Sequence, residues 1–342
     1  MMRTKKVIIS IVIFFVLAGA GIAFWGYKTV FANNISTSFY LYIKTGSTYS
    51  QVVDLLEENN ALKNKKNFQR VAKWKKYPQK VKAGRYAVKQ GMSNNELVNM
   101  LRSGRQDAIH FTFNNIRTKE QFARRVAEQL EFEEDNLLNL LNDNDFLSSY
   151  NLNSQTVLTI FIPNTYQLWW NTPADEFIKK MYREYEKFWT KERRQKAEDI
   201  HLSPVEVSIL ASIVEEENHR SDEQARIAGV YMNRLKKGIP LQADPTVKFA
   251  LQDFGRQRLL YADLEVDSPY NTYKHTGLPP SPIRIPSPTC IDKVLNYEHH
   301  NYIFMCAKED FSGYHNFAVT NAEHEINSAK YHQALNNRKI KR

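Results

Sequence analysis

Cysteine is scarce in this sequence, and metal-binding patterns are missing. The 342 residues include two cysteines, Cys290 and Cys306, which fits an oxidising compartment whose proteins need not use disulfides. A bridge between them is open, but "YIFMCA" around Cys306 reads as a buried strand, and a buried free thiol is the interpretation we favour. Neither cysteine has metal-ligand spacing and no HExxH motif occurs, so no metal site is predicted.

Acidic residues are missing between Asn59 and Asn95. The basic residues of this stretch are Lys63, Lys65, Lys66, Arg70, Lys73, Lys75, Lys76, Lys80, Lys82, Arg85 and Lys89, and the interleaved aromatic residues are Phe68, Trp74, Tyr77 and Tyr86. Such a surface can hold an anionic, sugar-containing polymer, because aromatic faces stack on sugar rings and ammonium groups pair with carboxylates. Attraction to anionic phospholipid head groups is a second interpretation. A solvated basic face with its aromatic residues in the core is the third.

The overall composition is that of a basic globular protein. Hydrophobic residues make up 42% and aromatic residues 12% of the chain, which is enough for a large core, and the length suggests two domains. The formal net charge of +10 admits nucleic acid, an anionic membrane surface or an acidic polymer as partners.

The N-terminus selects among these partners. Basic residues within positions 1–6 precede an unbroken apolar run over residues 7–27, which is long enough to cross a hydrocarbon layer of ~30 Å. By the positive-inside tendency, residues 1–6 form a cytoplasmic tail, residues 7–27 form a transmembrane anchor, and Trp25 and Tyr27 lie at the far interface. A cleaved signal peptide is the alternative, because "AGAGIA" supplies small residues. Either way the remaining chain is exported, and nucleic acid is not an expected partner.

A small α+β module is predicted for residues 35–106. "TSFYLYIK" alternates like a strand, and Thr48 or Ser50 can cap the helix "QVVDLLEENNAL". A second helix, "KNFQRVAKWKKY", and a strand around "AGRYAVK" follow. The helix "SNNELVNMLRSG" then opens with a Ser93–Glu96 capping box and closes on Gly104. This order of elements resembles the peptidoglycan-binding LysM domain.

A larger α+β domain is predicted for residues 108–340. "AIHFTF" is strand-like, and Thr118 opens the helix "TKEQFARRVAEQL". In "LTIFIPNTYQLWWNTP" the aromatic density is high, and these rings pack either in a core or in a cleft as a sugar platform. The predicted fold class is therefore α+β, with an N-terminal transmembrane helix, a small LysM-like α+β module and a larger α+β domain.

The stretch "LSPVEVSILASIVEEEN" predicts a buried helix that ends in three carboxylates. Ser203, Pro204 and Glu206 are typical of a helix start. Apolar side chains then cover nearly every direction as far as Val214, so protein should surround the helix. Glu217 follows Leu210, Ile213 and Val214 on one ridge, which predicts partial desolvation and a raised carboxyl pKa. A carboxyl that stays protonated near neutral pH suits a general acid. The alternative is that the glutamates mark where the helix reaches water.

Two further segments favour a functional site. "SDEQARIAGVYMNRLKKG" predicts a helix with a Ser221–Gln224 capping box and Gly238 as its terminator. "DSPYNTYKHTGLPPSPIRIPSPT" has little apolar periodicity and predicts a long ordered loop.

The segments "LASIVEEE", "IAGVYMNRLKKGIPLQADPTV", "YNTYKHTGLPPSPI" and "GYHNF" occur in this order. Together they resemble the MltG-type (YceG-like) family of endolytic murein transglycosylases. The resemblance implies a lyase that cleaves the MurNAc–GlcNAc bond of peptidoglycan without water, leaves 1,6-anhydroMurNAc ends and terminates nascent glycan strands. It makes residues 108–340 the catalytic domain and Glu217 the catalytic acid. Where the family usually has Glu-x-Glu-Thr, this chain ends the motif in Asn218.

The resemblance also implies the roles of the site residues. A lytic transglycosylase can work with one carboxyl group, whereas a classical glycosidase uses two, and neither metal nor cofactor is expected. Glu215 is expected to affect the site without touching substrate, and Glu216→Gln to stay close to wild type. The residues expected to bind sugar hydroxyls, acetamido groups or the lactyl carboxylate are Asn233, Arg234, Gln242, Asp244, Tyr270, Asn271, Tyr273 and His315. For Asp244 a turn role before Pro245 is equally open, and for His315 a structural role is open.

The expected partners are peptidoglycan glycan strands, wall synthases of the penicillin-binding type and the inner (plasma) membrane. The protein would cross that membrane once, in a cell with two membranes, with its bulk on the extracytoplasmic side. A non-catalytic, peptidoglycan-binding scaffold of the wall-synthesis machinery is the alternative function. An ordinary hydrolase is a third, and it would leave reducing ends.

An uncleaved anchor is directly testable. If residues 7–27 span the membrane, the mature protein should begin at Met1 or Met2 and should stay in the membrane fraction after a high-salt wash. N-terminal sequencing of the fractionated protein checks this. A soluble form that begins near Ala20 would mean that the segment is a cleaved signal peptide.

Overall fold

The computed structural model describes residues 2–218, 220–256 and 259–338 as a mixed α+β protein that begins with a long apolar helix. The ends of the predicted tail and catalytic domain, Met1 and residues 339–340, lie outside the described residues, as do His219 and residues 257–258 within that domain.

Helices predominate over short strands. The helices are α1 (Met2–Phe31), α2 (Tyr49–Glu58), α3 (Lys65–Trp74), α4 (Asn94–Ser103), α5 (Lys119–Ala127), α6 (Glu134–Asn142), α7 (Asn144–Ser148), α8 (Ala174–Phe188), α9 (Lys191–Asp199), α10 (Pro204–Glu217), α11 (Gln224–Lys236), α12 (Asp244–Ala250), α13 (Pro288–Leu295) and α14 (Asn321–Asn337). The strands are β1 (Phe39–Ile43), β2 (Gly84–Val88), β3 (Ile109–Thr112), β4 (Thr165–Leu168), β5 (Phe304–Ala307) and β6 (His315–Ala318). In the described part of the chain they pair as three two-stranded sheets, β1 with β2, β3 with β4 and β5 with β6.

The chain forms two compact units. The first consists of residues up to Phe111 together with Gln129–Glu131 and Tyr166–Thr172, and the second contains Thr112–Glu128, Phe132–Thr165 and the chain from Pro173 onward. The predicted division at residues 106–108 and the LysM-like character of the module stay predictions.

The first unit has its own core beneath the β1–β2 sheet. In this antiparallel pair Leu41 lies opposite Tyr86, and both side chains are buried with those of α2, α3 and α4. Thr48 caps α2, and Ser93 and Glu96 form the predicted capping box of α4. The helix ends at Gly104, whose φ of +75° is a backbone conformation that glycine adopts without a steric cost.

The basic segment of this unit divides its aromatic residues between core and surface. Phe68, Tyr77 and Tyr86 are fully buried, whereas Trp74 is 71% exposed. For those three residues the structure therefore confirms packing in the core. They are not available to stack on a sugar.

The apolar helix α1 is joined to the first unit by buried amide groups. Residues Lys5–Phe31 have the length and hydropathy of a membrane span, and no residue in the most apolar part of this segment is buried. At its end, Asn94 Nδ2 donates to the Thr29 carbonyl at 2.8 Å, and Asn34 Nδ2 donates to Asn94 Oδ1 at 2.7 Å. Thr29, Asn34 and Asn94 are all buried. A buried amide without a partner is costly, so these bonds hold the end of α1 against the unit.

In the second unit, α10 is enclosed as predicted. Ser203 and Glu206 form a capping box around Pro204, and every residue from Val207 to Val214 is buried. The helices α9, α11, α12 and α13 pack against it. Its buried hydroxyl is also satisfied, because Ser212 Oγ donates to the Ile209 carbonyl at 2.7 Å and accepts from the Ile283 amide at 3.0 Å.

Three predicted details of this unit have different outcomes. The Ser221–Gln224 capping box is wrong: α11 begins at Gln224 with Glu223 at the N-cap, and Gln224 Nε2 donates instead to the Asn218 carbonyl at 2.9 Å. Cys290 is buried and free, as favoured, whereas free Cys306 is only partly buried because all of β5 is partly exposed. Phe161 is buried and packs with Phe122 and Phe177, so its ring belongs to the core.

Candidate active site

A polar cavity of about 520 Å³ lies in the second unit, at the C-terminal end of α10. Its lining comes from α10, α11, the chain just before and within α12, the long loop, β5, β6 and α14. The lining residues are Glu217, Val230, Tyr231, Arg234, Leu241, Gln242, Asp244, Tyr273, Phe304, Met305, Cys306, Ala307, His315, Asn321, His324 and Tyr331.

Glu217 is the last residue of α10, and its partner is a neutral donor. The buried Tyr231 of α11 donates its hydroxyl to Glu217 Oε2 at 3.1 Å. Desolvation by burial raises the pKa of the Glu217 carboxyl, and the nearby negative charge of Asp244 acts in the same direction. A positive charge on His315 and the Tyr231 hydrogen bond favour the ionised form and oppose this shift. Burial dominates, so the pKa of Glu217 lies above its ordinary value, as its position on the apolar ridge predicted.

A second carboxylate lines the same cavity. Asp244 is the first residue of α12, and its Oδ1 accepts a hydrogen bond from the Tyr273 hydroxyl at 2.5 Å. Tyr273 comes from the long loop, and burial together with the neighbouring charge of Asp244 raises the pKa of its phenol. The cavity thus presents two acids, each hydrogen-bonded to a tyrosine.

Arg234 is buried and holds the wall of the cavity together. Its Nε donates to the Pro240 carbonyl at 2.8 Å, and one terminal nitrogen donates to the Ile303 carbonyl at 2.7 Å. The other terminal nitrogen donates to the side-chain oxygen of Gln242. Gln242 has a φ of +54°, which is an unfavourable conformation for a non-glycine residue. Arg234 thus orients the Gln242 side chain at this strained position.

His315 of β6 is held by a buried carboxylate. Glu223 is 5% exposed, and its carboxylate lies 2.8 Å from His315 Nδ1 while also accepting the His315 amide at 3.0 Å. Asn218, the residue after Glu217, donates its Nδ2 to the same carboxylate at 2.5 Å. With Nδ1 placed against a carboxylate, the Nε2 of His315 is the ring nitrogen left for the cavity, and it has no hydrogen-bond partner among the described residues.

Glu215 and Glu216 point to partners other than the cavity. Glu216 forms ion pairs with Arg117 at 2.8 Å and with Arg284 at 3.0 Å. Glu215 lies 3.6 Å from Arg284 and accepts the Ser287 amide at 2.7 Å, at the start of α13. Arg284 is buried, so both carboxylates compensate a desolvated cation.

The predicted substrate-binding residues divide into two groups. Arg234, Gln242, Asp244, Tyr273 and His315 line the cavity with Glu217, whereas Asn233, Tyr270 and Asn271 do not.

The second group is bonded within the protein. The Asn233 amide donates to the His300 and Tyr302 carbonyls, and the Tyr270 hydroxyl contacts Ser281 at 2.5 Å. The fully buried Asn271 donates to the carbonyls of Leu264 and Val266. These three side chains hold loops in place.

Sequence reasoning missed several residues of the site. Tyr231 lies on a helix whose neighbouring positions are apolar, so its pattern is that of a core residue. Glu223 pairs with a histidine 92 residues later, and no local pattern carries such a contact. The cavity residues of α14, Asn321, His324 and Tyr331, follow the matched "GYHNF" segment, and that proximity was the available signal. In the described part of the chain, no group of three or more His, Cys, Asp or Glu side chains is arranged to hold a metal ion.

The chain resembles characterised proteins over most of its length. The sequence profile of the YceG-like family matches residues 41–330. The endolytic murein transglycosylase of Bacillus subtilis is 30% identical over 321 residues, which cover 88% of this chain and 86% of that protein. The endolytic murein transglycosylase of Streptococcus pneumoniae strain D39 is 26% identical over 96% of this chain, which spans 66% of that protein. A crystal structure of a YceG-like protein from Listeria monocytogenes superposes with a TM-score of 0.55 at 27% identity, covering 85% of this chain and 99% of that one.

The placement of Glu216 changes the outcome expected for its substitution. Glu216→Gln keeps the shape of the side chain but removes the charge between Arg117 and the buried Arg284, so we expect a loss of about 1–3 kcal/mol in the free energy of unfolding. Chemical denaturation beside the exposed control Glu198→Gln measures it. Equal stability of the two variants would show that the ion pairs contribute nothing to the fold.

Proposed function

Because the chain belongs to the YceG-like family, we propose that it is a membrane-anchored endolytic murein transglycosylase. It cleaves the MurNAc–GlcNAc bond of peptidoglycan strands without water, leaves 1,6-anhydroMurNAc ends and so terminates nascent strands. The observation that carries this proposal is the placement of one carboxyl, Glu217, in a polar cavity of about 520 Å³, where desolvation raises its pKa.

Glu217 acts first as the general acid. The raised pKa keeps a proton on the carboxyl nearer to neutral pH, and Glu217 transfers it to the oxygen of the glycosidic bond as the bond from C1 of MurNAc to that oxygen breaks. Positive charge develops on the sugar ring in this step. Asp244 lines the same cavity, and its negative charge stabilises that transition state.

Glu217, now ionised, acts next as the base. It accepts the proton of the MurNAc 6-hydroxyl while O6 bonds to C1, which closes the 1,6-anhydro ring and returns the carboxyl to its protonated form. The Tyr231 hydroxyl donates to Oε2 and stabilises the ionised carboxylate between the two steps. No water is consumed, and one catalytic residue serves both half-reactions.

The other cavity residues hold the substrate. His315, with Nε2 free for the cavity, is placed to bind the lactyl carboxylate or a sugar oxygen. Gln242 uses its carbonyl oxygen on Arg234, which leaves its amide hydrogens for an acetamido carbonyl. Tyr273 contacts Asp244 and orients it, and Arg234 positions the wall of the cavity more than the sugar. Glu215 acts only indirectly, by holding α13 against the end of α10.

We propose that this activity takes place at the plasma membrane. We assign residues 1–6 to a cytoplasmic tail and 7–27 to a single transmembrane anchor. Residues 35–106 form a LysM-like module and 108–340 an extracytoplasmic catalytic domain. The partners are peptidoglycan strands and wall synthases of the penicillin-binding type, since strand termination has to accompany strand synthesis.

Hydrolysis is the second candidate, because two carboxylates share the cavity and classical glycosidases use two. Digestion of purified sacculi followed by mass spectrometry of the fragments separates the two reactions. Anhydro ends support the proposal, and reducing ends would assign water as the acceptor. A binding scaffold would release neither product.

Replacing the acid should abolish the reaction without unfolding the protein. Glu217→Gln has no proton to give, so we expect anhydromuropeptide release to fall by about 10²–10⁴-fold or more. The variant should be at least as stable as wild type. Because the folded-state pKa of Glu217 is raised, wild type loses stability as pH rises from the ordinary carboxyl range to that pKa, and the glutamine variant does not. A well-folded variant with full activity would remove Glu217 from the mechanism.

Tyr231→Phe tests the environment of the acid through the pH profile. The hydroxyl stabilises the ionised carboxylate, so its removal should raise the pKa of Glu217 further. The alkaline limb of the rate profile should then move upward by about one pH unit. Tyr182→Phe, which removes a hydroxyl bonded to Glu186 on α8, is the matched control. A limb that stays in place, or one that moves to lower pH, would contradict this role.

A further inference from the structure

One face of α3 carries positive charge without an acidic partner among the described residues. Lys66, Arg70 and Lys73 lie at i, i+4 and i+7, opposite the buried positions of the helix, and Trp74 adjoins them. We call these four residues the α3 stripe. Within the described residues of the first unit, Lys65 pairs with Glu57 and Arg85 with Asp107. The two lysines of the stripe therefore keep an uncompensated charge.

The α3 stripe contacts the apolar helix α1 through Arg70. The Arg70 guanidinium lies over the Trp25 ring of α1, 5.1 Å from its centre. Trp25 lies about one helical turn before Thr29. The Thr29 carbonyl accepts the hydrogen bond from Asn94. A tryptophan at the end of a membrane span lies at the level of the lipid head groups. Since the buried amides fix the end of α1, Arg70 and its stripe lie at the same level.

We propose that the α3 stripe docks on anionic phospholipid head groups, so that the first unit lies against the membrane surface. This inference rests on the proposal that α1 is an uncleaved anchor. The charges of Lys66, Arg70 and Lys73 match the lipid phosphates. Trp74 is 71% exposed and has Lys75 above its ring at 5.8 Å, and such a residue is typical of the interface.

Lipid is favoured over wall polymer by the placement of the aromatic rings. Sugar binding along the basic segment would use several exposed rings, but Phe68, Tyr77 and Tyr86 are fully buried in the core. Trp74 alone of the four remains at the surface. A single ring among lysines suits a head-group layer, which needs charge and one amphipathic anchor.

The experiment reconstitutes the full chain in nanodiscs of phosphatidylglycerol and brominated phosphatidylcholine. Trp74 fluorescence is the difference between wild type and Trp74→Phe, so the other tryptophans cancel. Quenching should be strong in these nanodiscs and weak in nanodiscs of brominated phosphatidylcholine alone. Each lysine near an anionic surface contributes about fivefold, so Lys66→Glu with Lys73→Glu should lower the ratio of docked to free module by about 30-fold or more and abolish the quenching.

The matched control is the double variant Lys80→Glu with Lys89→Glu. Both lysines are exposed in the same unit but lie outside the α3 stripe, so this variant should leave the quenching unchanged. Equal quenching by both double variants, or none in wild type, would overturn the proposal. If the stripe variant instead loses only sedimentation with sacculi, the partner is the wall. Co-purification with the nanodisc reports the anchor, and anhydromuropeptide release reports catalysis, so a failure of the proposed function is seen separately.

Discussion

The chemistry at the end of α10 depends on one buried cation. Arg284 has little contact with water, and a desolvated guanidinium is tolerated only with anions beside it. Glu216 and Glu215 supply those anions, and Arg117 and the start of α13 take up their remaining oxygens. Two of three consecutive carboxylates are thereby committed to the fold. The third, Glu217, has a neutral tyrosine hydroxyl as its hydrogen-bond partner, and burial raises the pKa of its carboxyl.

The sequence predicted those features that depend on residues close together in the chain. The start of α10 followed from Ser203, Pro204 and Glu206, and the raised pKa of Glu217 followed from the ridge it shares with Leu210 and Val214. These inferences use helical spacing alone. The same reasoning could not find the partners of Glu216, because they lie 99 and 68 positions away in the chain.

Contacts that helical spacing does not encode explain where other polar side chains are placed. The pattern from Ser221 to Gln224 is that of a capping box, but Glu223 is used by His315 and Gln224 by the end of α10. Asn271 has a side chain of the kind that binds sugars, but it is buried and donates to two carbonyls of its own loop. In each case a polar side chain met the nearest unsatisfied backbone group or ion, and only the folded chain determines which group is nearest.

The three carboxylates at the end of α10 are consecutive in the chain, and successive side chains on an α-helix differ by about 100° in direction. Glu215, Glu216 and Glu217 accordingly face α13, the two arginines and the cavity. Inserting or deleting a single residue before them would turn all three by one step, so that no carboxylate kept its own partner. The length of this helix therefore determines which partner each carboxylate meets. Among related chains, we expect gaps in alignments to be confined to the loops on either side of α10.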